Sequence, residues 1–595
     1  MHGGTDAHYD ESQDQKEKIN YKATFRMLYG LMRPQKRGFA VTASWLLLSS
    51  VLNLLSPIIA KYIIDMAIPA KDYHLVILLV TALFLNSLLF LVFNYFLRMR
   101  LVRTGQQIMT DLKKKMLAHM LSLDLPFYAQ YPVGRLMARV QADTASLYEL
   151  FTETSITIFR DILMFFITFA IMAFFNLRLT LLLLTVLPFV MVLSVVFLHK
   201  SSTMFVTVRK LASEISGFLS EHVSAIALLQ AYNREAMAAA RLDAVNKRKF
   251  NAELSAEMMS IIFFTAVILL SPISIAIILG AGGGWALEGR ISIGTLVMFI
   301  LYIDKLFDPI FHLSEHISII QRSFSAGHRI ARIMERRPAI TDPVKPHFIH
   351  SMRESIEFRD VWMKYAPEDP WVLKGVSFTL RKGKSLAIVG ETGGGKTTIT
   401  NLLFKFYTPQ KGRILIDGAD LSEISLKSLR TAIGLVQQDL YLFPGTIMQN
   451  LKLMDDAVPD ALVHDAIKTI GMDAFFKHHS LNKQIVEKGV NLSAGEKQVI
   501  SLVRAMVLNQ EVLALDEATS HIDPYTERLI NTAMQRLLKR KTMIVIAHRL
   551  STIKNADEIM LISEGEAKER GTHEALLAHG GIYSKFYKLQ FGENG

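Results

Sequence analysis

Residues 390–398 read GETGGGKTT, with four glycines, one lysine and three threonines, set between the apolar run SLAIVG and the stretch TTITNLLFKFY. Gly390, Gly395, Lys396 and Thr397 fit the spacing G-x-x-x-x-G-K-[ST], and Glu391, Thr392, Gly393, Gly394 and Thr398 fill and close the loop. Glycines at these places let backbone N–H groups wrap phosphates, and a helix beginning at the end of the loop adds a favourable dipole. The lysine of such a loop reaches the β- and γ-phosphates, and the hydroxyl after it meets Mg²⁺. Lys396 and Thr397 are therefore expected to hold ATP and Mg²⁺. A glycine-rich turn that binds nothing is the competing reading, and a strand before it with a helix after it argues against that.

The loop needs carboxylate partners. Downstream, VLALDE is an apolar strand that ends in Asp516 and Glu517. Asp516 fits the carboxylate that holds Mg²⁺, through water, and Glu517 the base that polarises an attacking water. Two acids at a strand end are weak evidence alone, since surface charge explains them equally well. Beside a phosphate loop they become strong evidence.

The elements that position this chemistry begin late in the chain. From about residue 340 to 595, strands alternate with helices, which predicts a soluble α/β domain. Before that the chain is built for lipid. Hydrophobic residues are 51% and charged residues 20% of the 595, and the mean hydropathy is +0.28, which argues against the roughly four soluble domains that length alone would suggest. Apolar stretches fall near residues 39–62, 75–97, 155–175, 179–199, 258–282 and 291–311, each close to the ~20 residues that a helix needs to cross a bilayer. The third and fourth must turn at FNLRL, and GAGGGWALEGR breaks the last pair. No alternating pattern of a membrane barrel is present.

Cations orient these spans. Lys16, Lys18, Lys22, Arg26, Arg33, Lys36 and Arg37 precede the first; Arg98, Arg100, Arg103 and three lysines at 113–115 follow the second; Lys200, Arg209 and Lys210 follow the fourth. The opposite loops are short and cation-poor, so both termini are expected in the cytoplasm. The formal charge of +12 is then explained by loops rather than by nucleic-acid binding. Absence of cysteine excludes disulfides, thiolate metal sites and thiol nucleophiles. Residues 98–154 and 200–257 are charged and helix-forming, so the flanking spans should continue as long helices beyond the membrane. The expected organisation is a polar cytoplasmic tail at 1–22 without a secretory signal, a transmembrane domain at 23–335, a linker at 336–352 and a nucleotide-binding domain at 353–595.

With these motifs in order, the chain resembles an ATP-binding-cassette half-transporter of the exporter type, and in particular the catalytically competent subunit of heterodimeric bacterial multidrug exporters. The resemblance covers nearly everything after the tail. LSAGEKQ at 492–498 is similar to the family's signature, with Ser493 and Gly495 facing nucleotide. VQQDLYLF supplies Gln438, expected on Mg²⁺; SHID at 520–523 matches the D-loop; IAHRL provides the switch histidine, His548; and Tyr365 stands where the family stacks adenine. In the membrane half, Gly134, Arg139 and Asp143, and the segment 221–235, resemble intracellular segments whose short coupling helices dock on nucleotide-binding domains. The resemblance implies a six-span α-helical membrane domain followed by an α/β phosphate-loop ATPase domain with a helical signature subdomain. It further implies a multi-pass protein of a bacterial inner or plasma membrane that exports a hydrophobic or amphipathic substrate, a drug-like molecule or a lipid, by alternating access. Fusion of the two halves favours export over import.

The chain departs from the family at LSGGQ, which here reads Leu492-Ser493-Ala494-Gly495-Glu496. Ala494 adds a methyl where close backbone approach to phosphate is wanted. Glu496 adds charge; at an assumed separation of about 5 Å and dielectric of about 20, like charges repel by roughly 3 kcal/mol. Heterodimeric exporters of the family divide their two sites in this way, so the resemblance implies a heterodimer with a second half-transporter, in which this chain contributes the competent Walker residues and the partner the intact signature. A homodimer tolerating the variant stays open. An ATP-gated regulatory or channel-type protein is countered by Glu517 and His548, and a nucleic-acid-associated cassette ATPase by the fused spans. Asp304, Lys305 and Asp308, with Arg160 and Asp161, are charged residues within spans and hence functional suspects.

Overall fold

The computed structural model describes residues 21–437, 440–516, 522–547 and 550–591. They form two compact units, 21–122 with 131–336, and 123–130 with the described residues from 337 to 591.

The first unit is helical: α1 (Tyr21–Met32), α2 (Lys36–Tyr62), α3 (Tyr73–Ser122), α4 (Ser155–Phe175), α5 (Leu177–Leu184), α6 (Leu187–Ser224), α7 (Glu235–Ile277) and α8 (Ile293–Glu335) are its main elements. The apolar spans do run on into their charged neighbours, giving α3 50 residues and α7 43. Among the described residues, five helical stretches are long and apolar enough to cross a membrane: Thr24–Ala67, Tyr73–Ser122, Leu136–Phe175, Leu177–Ser224 and Glu235–Leu287. The sixth expected span opens α8, which has the length but carries Asp304, Lys305 and Asp308 in its apolar stretch. The turn at FNLRL is made by Asn176, whose extended backbone breaks the helix and whose side chain accepts from the Leu179 N–H. The last pair is broken within GAGGGWALEGR, as expected, but at its end rather than at its glycine run. Helical structure continues through it to Leu287, with a π-turn at Ile278–Gly282, and the chain reverses only after Leu287, around Gly289 at φ +72°.

Phe84, Phe166, Phe174 and Phe189 are exposed on this unit, as expected where lipid rather than water is the solvent. Its interior packs Leu54, Met164, Met172, Val267 and Phe299, with Phe197 and Phe263 stacked at 4.2 Å. Polar bonds tie the helices together where apolar matching cannot. Asn86 Nδ2 donates to Leu52 O at 2.8 Å, and the Tyr302 hydroxyl donates to Leu54 O at 2.6 Å. Lys305 Nζ reaches Asn53 Oδ1 at 2.6 Å, and the Ser271 hydroxyl reaches Asp304 at 3.3 Å. Thus two of the suspect charges of α8 have neighbouring helices as partners. Asp65 accepts from the Gly294 N–H at 2.7 Å, capping the start of α8. Asp143 accepts from Arg329 Nε at 3.1 Å, fastening the segment 139–143 to α8.

The second unit contains two larger sheets and a separate antiparallel pair, β7 with β8, built from β1 (Ser355–Met363), β2 (Leu373–Arg381), β3 (Ser385–Gly390), β4 (Lys411–Ile416), β5 (Ala419–Asp420), β6 (Ile433–Val436), β7 (Gly445–Thr446), β8 (Gln484–Ile485), β9 (Val512–Asp516), β10 (Thr542–Ile546), β11 (Glu558–Ser563) and β12 (Glu566–Gly571). A six-stranded sheet runs β12-β11-β3-β10-β9-β6, and a four-stranded one β2-β1-β4-β5. β11, β3, β10, β9 and β6 are parallel, and β12 joins antiparallel. β3 and β10 are buried along their whole length, matching the unbroken apolar sequences of strands covered on both faces. One face packs against Leu403, Ile399 and the smaller sheet, the other against Val499, Ile530 and Leu537 of helices. The short helix Leu125–Gln130 clusters with this unit: Phe127 is buried, and the Ala339 N–H donates to Asp124 at 2.7 Å.

Candidate functional site

Parallel strands deliver their C-terminal ends to one edge of a sheet, where α/β folds bind ligands. Here β3 and β9 flank β10, with Ile546 opposite both Ile388 and Asp516. The phosphate loop leaves β3, and Asp516 ends β9, so two segments more than a hundred residues apart meet at this edge. Their side chains touch: the Thr397 hydroxyl donates to Asp516 Oδ2 at 3.3 Å. The pairing puts a hydroxyl and a carboxylate side by side, the donor set for one Mg²⁺ held directly by Thr397 and through water by Asp516.

The loop conformation depends on glycine at its two ends. Gly390 has φ +149°, and a Cβ there would lie 2.0 Å from the Ile562 carbonyl oxygen. Gly395 has φ +99° and serves as the N-cap of α9 (Lys396–Leu403), with a hypothetical Cβ 2.7 Å from Leu373. Only glycine accepts both demands. Thr392, Gly393 and Gly394 span the turn between them. Lys396 is buried, and Nζ donates to the carbonyls of Gly390 at 2.8 Å and Glu391 at 2.7 Å. Burial pushes its ammonium below the ordinary lysine value, while Asp516 and Glu391 pull the other way.

Tyr365 lies beside the same helix. Its hydroxyl pairs with Thr398 Oγ1 at 2.9 Å, and its ring meets Tyr407 edge to face at 4.9 Å. The residue is 43% exposed, which leaves room for a planar ligand against its ring. Tyr407 was not singled out from sequence; an aromatic in FKFY carries no spacing signal.

Three expected participants lie outside the described residues: Gln438, Glu517 and His548, together with Ser520 of the SHID segment. The described chain reaches Gln437, Asp516 and Ala547 immediately before each of the three.

The LSAGEKQ segment starts a helix, α10 (Ala494–Val507), with a capping box. Ser493 Oγ accepts from the Glu496 N–H at 3.2 Å, and Glu496 Oε2 accepts from the Ser493 N–H at 2.6 Å. This corrects the charge argument made from sequence. Glu496 also meets Lys483 at 3.0 Å and His479 at 3.1 Å, so its charge is turned into its own domain and compensated there. Burial alone would raise its carboxyl, but the Ser493 N–H, Lys483 and His479 together hold it below the ordinary value. Lys483 lies thirteen residues upstream, too far for any local pattern to have indicated it. Gly495 is buried for a reason of packing: a Cβ would lie 2.7 Å from Thr526 and 3.0 Å from Ile522, at the start of α11 (Pro524–Leu538). Ala494 is exposed.

Comparison with known proteins agrees with this geometry. Residues 41–310 match the family described as ABC transporter transmembrane region, and residues 373–520 match the family described as ABC transporter. The chain is 32% identical over 593 residues to the "Uncharacterized ABC transporter ATP-binding protein YknV" of Bacillus subtilis (strain 168), covering 98% of this chain and 97% of that protein. It is 32% identical over 510 residues to the "Probable multidrug resistance ABC transporter ATP-binding/permease protein YheH" of the same organism, covering 84% and 75%. A solved structure of a bacterial Atm1-family ABC exporter with ATP bound superposes with a TM-score of 0.80 at 26% identity, covering 94% of this chain and 99% of that one.

Proposed function

Because the chain belongs to the ABC transporter family, with its membrane and ATPase regions fused in one polypeptide, we propose that it is one half of a dimeric exporter that moves a hydrophobic or amphipathic molecule out of the cell. It is an ATP hydrolase coupled to transport, embedded in a membrane by several helices. The observation that carries the proposal is the meeting of Thr397 with Asp516 beside Lys396, in a chain that also holds an exporter-type membrane region. Residues 353–595 would be the motor, 23–335 the pathway and 336–352 the tether between them.

Lys396 would exchange its two carbonyl partners for phosphate oxygens, and the N–H groups of residues 391–398 would wrap the phosphates. Tyr365 would stack on adenine. Mg²⁺ would be held by Thr397, Asp516 and Gln438, and would neutralise developing phosphate charge. Glu517 would polarise the attacking water, and His548 would sit by the γ-phosphate. Ser493 and the N–H groups at the start of α10 would close over ATP bound by the second subunit.

The second subunit is proposed to be a different half-transporter, a reading that rests on Ala494 now that Glu496 is compensated within its own domain. A homodimer is the second reading, and the capping box of Ser493 and Glu496 favours it. Uptake of candidate drugs and lipids into inverted vesicles holding the chain, with and without a co-expressed half-transporter, tests both. ATP-dependent accumulation supports export; its absence under both conditions, with ATPase intact, would overturn export and favour ATP gating.

A further inference from the structure

The membrane unit contains a side-chain cluster that the ATP cycle does not use. His312 and His316 are four residues apart on α8 and so share one face. Both aim at Asp161 of α4: His312 Nδ1 is 3.4 Å and His316 Nε2 3.6 Å from Asp161 Oδ2. One ligand atom from each of the three residues lies within 4.8 Å of the others. Asp161 and His316 are buried, whereas His312 is partly open. Arg160 occupies only the other carboxylate oxygen, Oδ1, at 3.1 and 3.2 Å.

We propose that Asp161, His312 and His316 bind a divalent transition-metal ion that links α4 to α8. At metal–ligand distances near 2.0–2.1 Å, the edges of a tetrahedron are about 3.3 Å, so two of the three edges are already formed. Two imidazoles and one carboxylate oxygen make a three-ligand set of the open kind, with a fourth position for water. That water has room: Asp161 and His312 line a cavity of about 170 Å³ together with Asn53, Lys305 and Asp308. Imidazole selects Zn²⁺, Co²⁺, Ni²⁺ or Cu²⁺ over Mg²⁺ and Ca²⁺, which prefer all-oxygen sites. A histidine pair at i and i+4 facing a carboxylate on another helix is also a costly arrangement in lipid unless it has work to do.

The test uses the full chain, purified through a histidine-free tag and reconstituted in nanodiscs, titrated with Co²⁺ while visible absorption is recorded. One Co²⁺ per chain with the intense bands of a tetrahedral ion is expected. The double variant His312→Gln/His316→Gln should bind at least about 100-fold more weakly, since loss of a mere supporting partner already costs 10–100-fold. Should that variant fail to fold, Arg160→Gln serves instead. It removes the cation competing for Asp161 and should tighten Co²⁺ binding several-fold without removing any proposed ligand. Absence of tetrahedral bands in the wild-type chain, or bands of equal strength in a folded double variant, would overturn the proposal. So would a Co²⁺ affinity that Arg160→Gln leaves unchanged or weakens.

Discussion

Lys396 stands with its ammonium buried and bonded to two carbonyls of its own loop. Removing it deletes a cation aimed at two phosphates, and charge-assisted hydrogen bonds are worth ~1.5–3 kcal/mol, so Lys396→Ala should weaken ATP binding by roughly 10–100-fold. Titration with a fluorescent ATP analogue would measure this; an unchanged affinity would remove the loop from phosphate binding. Glu517→Gln should do the opposite, leaving affinity intact while slowing hydrolysis by ~10²–10⁴-fold, because a positioned base contributes that much. Single-turnover kinetics separates the two effects, and wild-type turnover in this variant would mean that another group is the base.

Among the elements, α10 carries the most specific expectation. Its capping box needs an acceptor at position 496, not a charge, so Glu496→Gln should preserve the cap while Glu496→Ala loses about 1 kcal/mol. Thermal unfolding of the isolated signature would not report this; the melting temperature of the intact chain does, and equal melting of both variants would refute the cap. The carboxyl of Glu496 is held below its ordinary value of 4.5. Its contribution to stability is therefore present in full above that value and fades as pH falls through the lowered one. The Gln variant should lack this acid dependence. Gly495→Ala should destabilise α10 by ~1–3 kcal/mol through its clash with Thr526, which is overpacking rather than loss of any phosphate contact. A drop in melting temperature without nucleotide would separate packing from phosphate approach.

For the whole molecule, the open matter is the partner. If Ala494 weakens the signature, the chain expressed alone should show little ATPase, and co-expression with a second half-transporter should yield a 1:1 complex with robust turnover. Ala494→Gly should then raise the turnover of the chain alone. Native mass spectrometry and ATPase rate decide between the arrangements: a stable homodimer turning over at full rate would defeat the heterodimer.

The nucleotide site was legible because its chemistry is written in consecutive residues. A glycine loop can only wrap phosphate if its glycines and lysine sit at fixed spacing along one backbone, so Gly390, Gly395, Lys396 and Thr397 announce themselves. Asp516 likewise ends a strand whose apolar run is visible. The membrane helices could be read from their apolar content, since lipid enforces length and hydrophobicity on any helix that crosses it. What stayed hidden required partners distant in sequence. Glu496 looked like unpaired charge until folding brought Lys483 and His479 to it, and the packing of Gly495 against Thr526 of α11 had no signal in the local sequence. The break before α8 was legible as GAGGGWALEGR, but its place, at Gly289 and not at the consecutive glycines, was decided by the helix running on to Leu287. Asp161, His312 and His316 drew no joint notice because 151 residues separate Asp161 from His312. Local spacing determines what a single segment can grip; only tertiary packing decides which charges are compensated and which ligands converge, because those energies depend on distances that the order of residues does not contain.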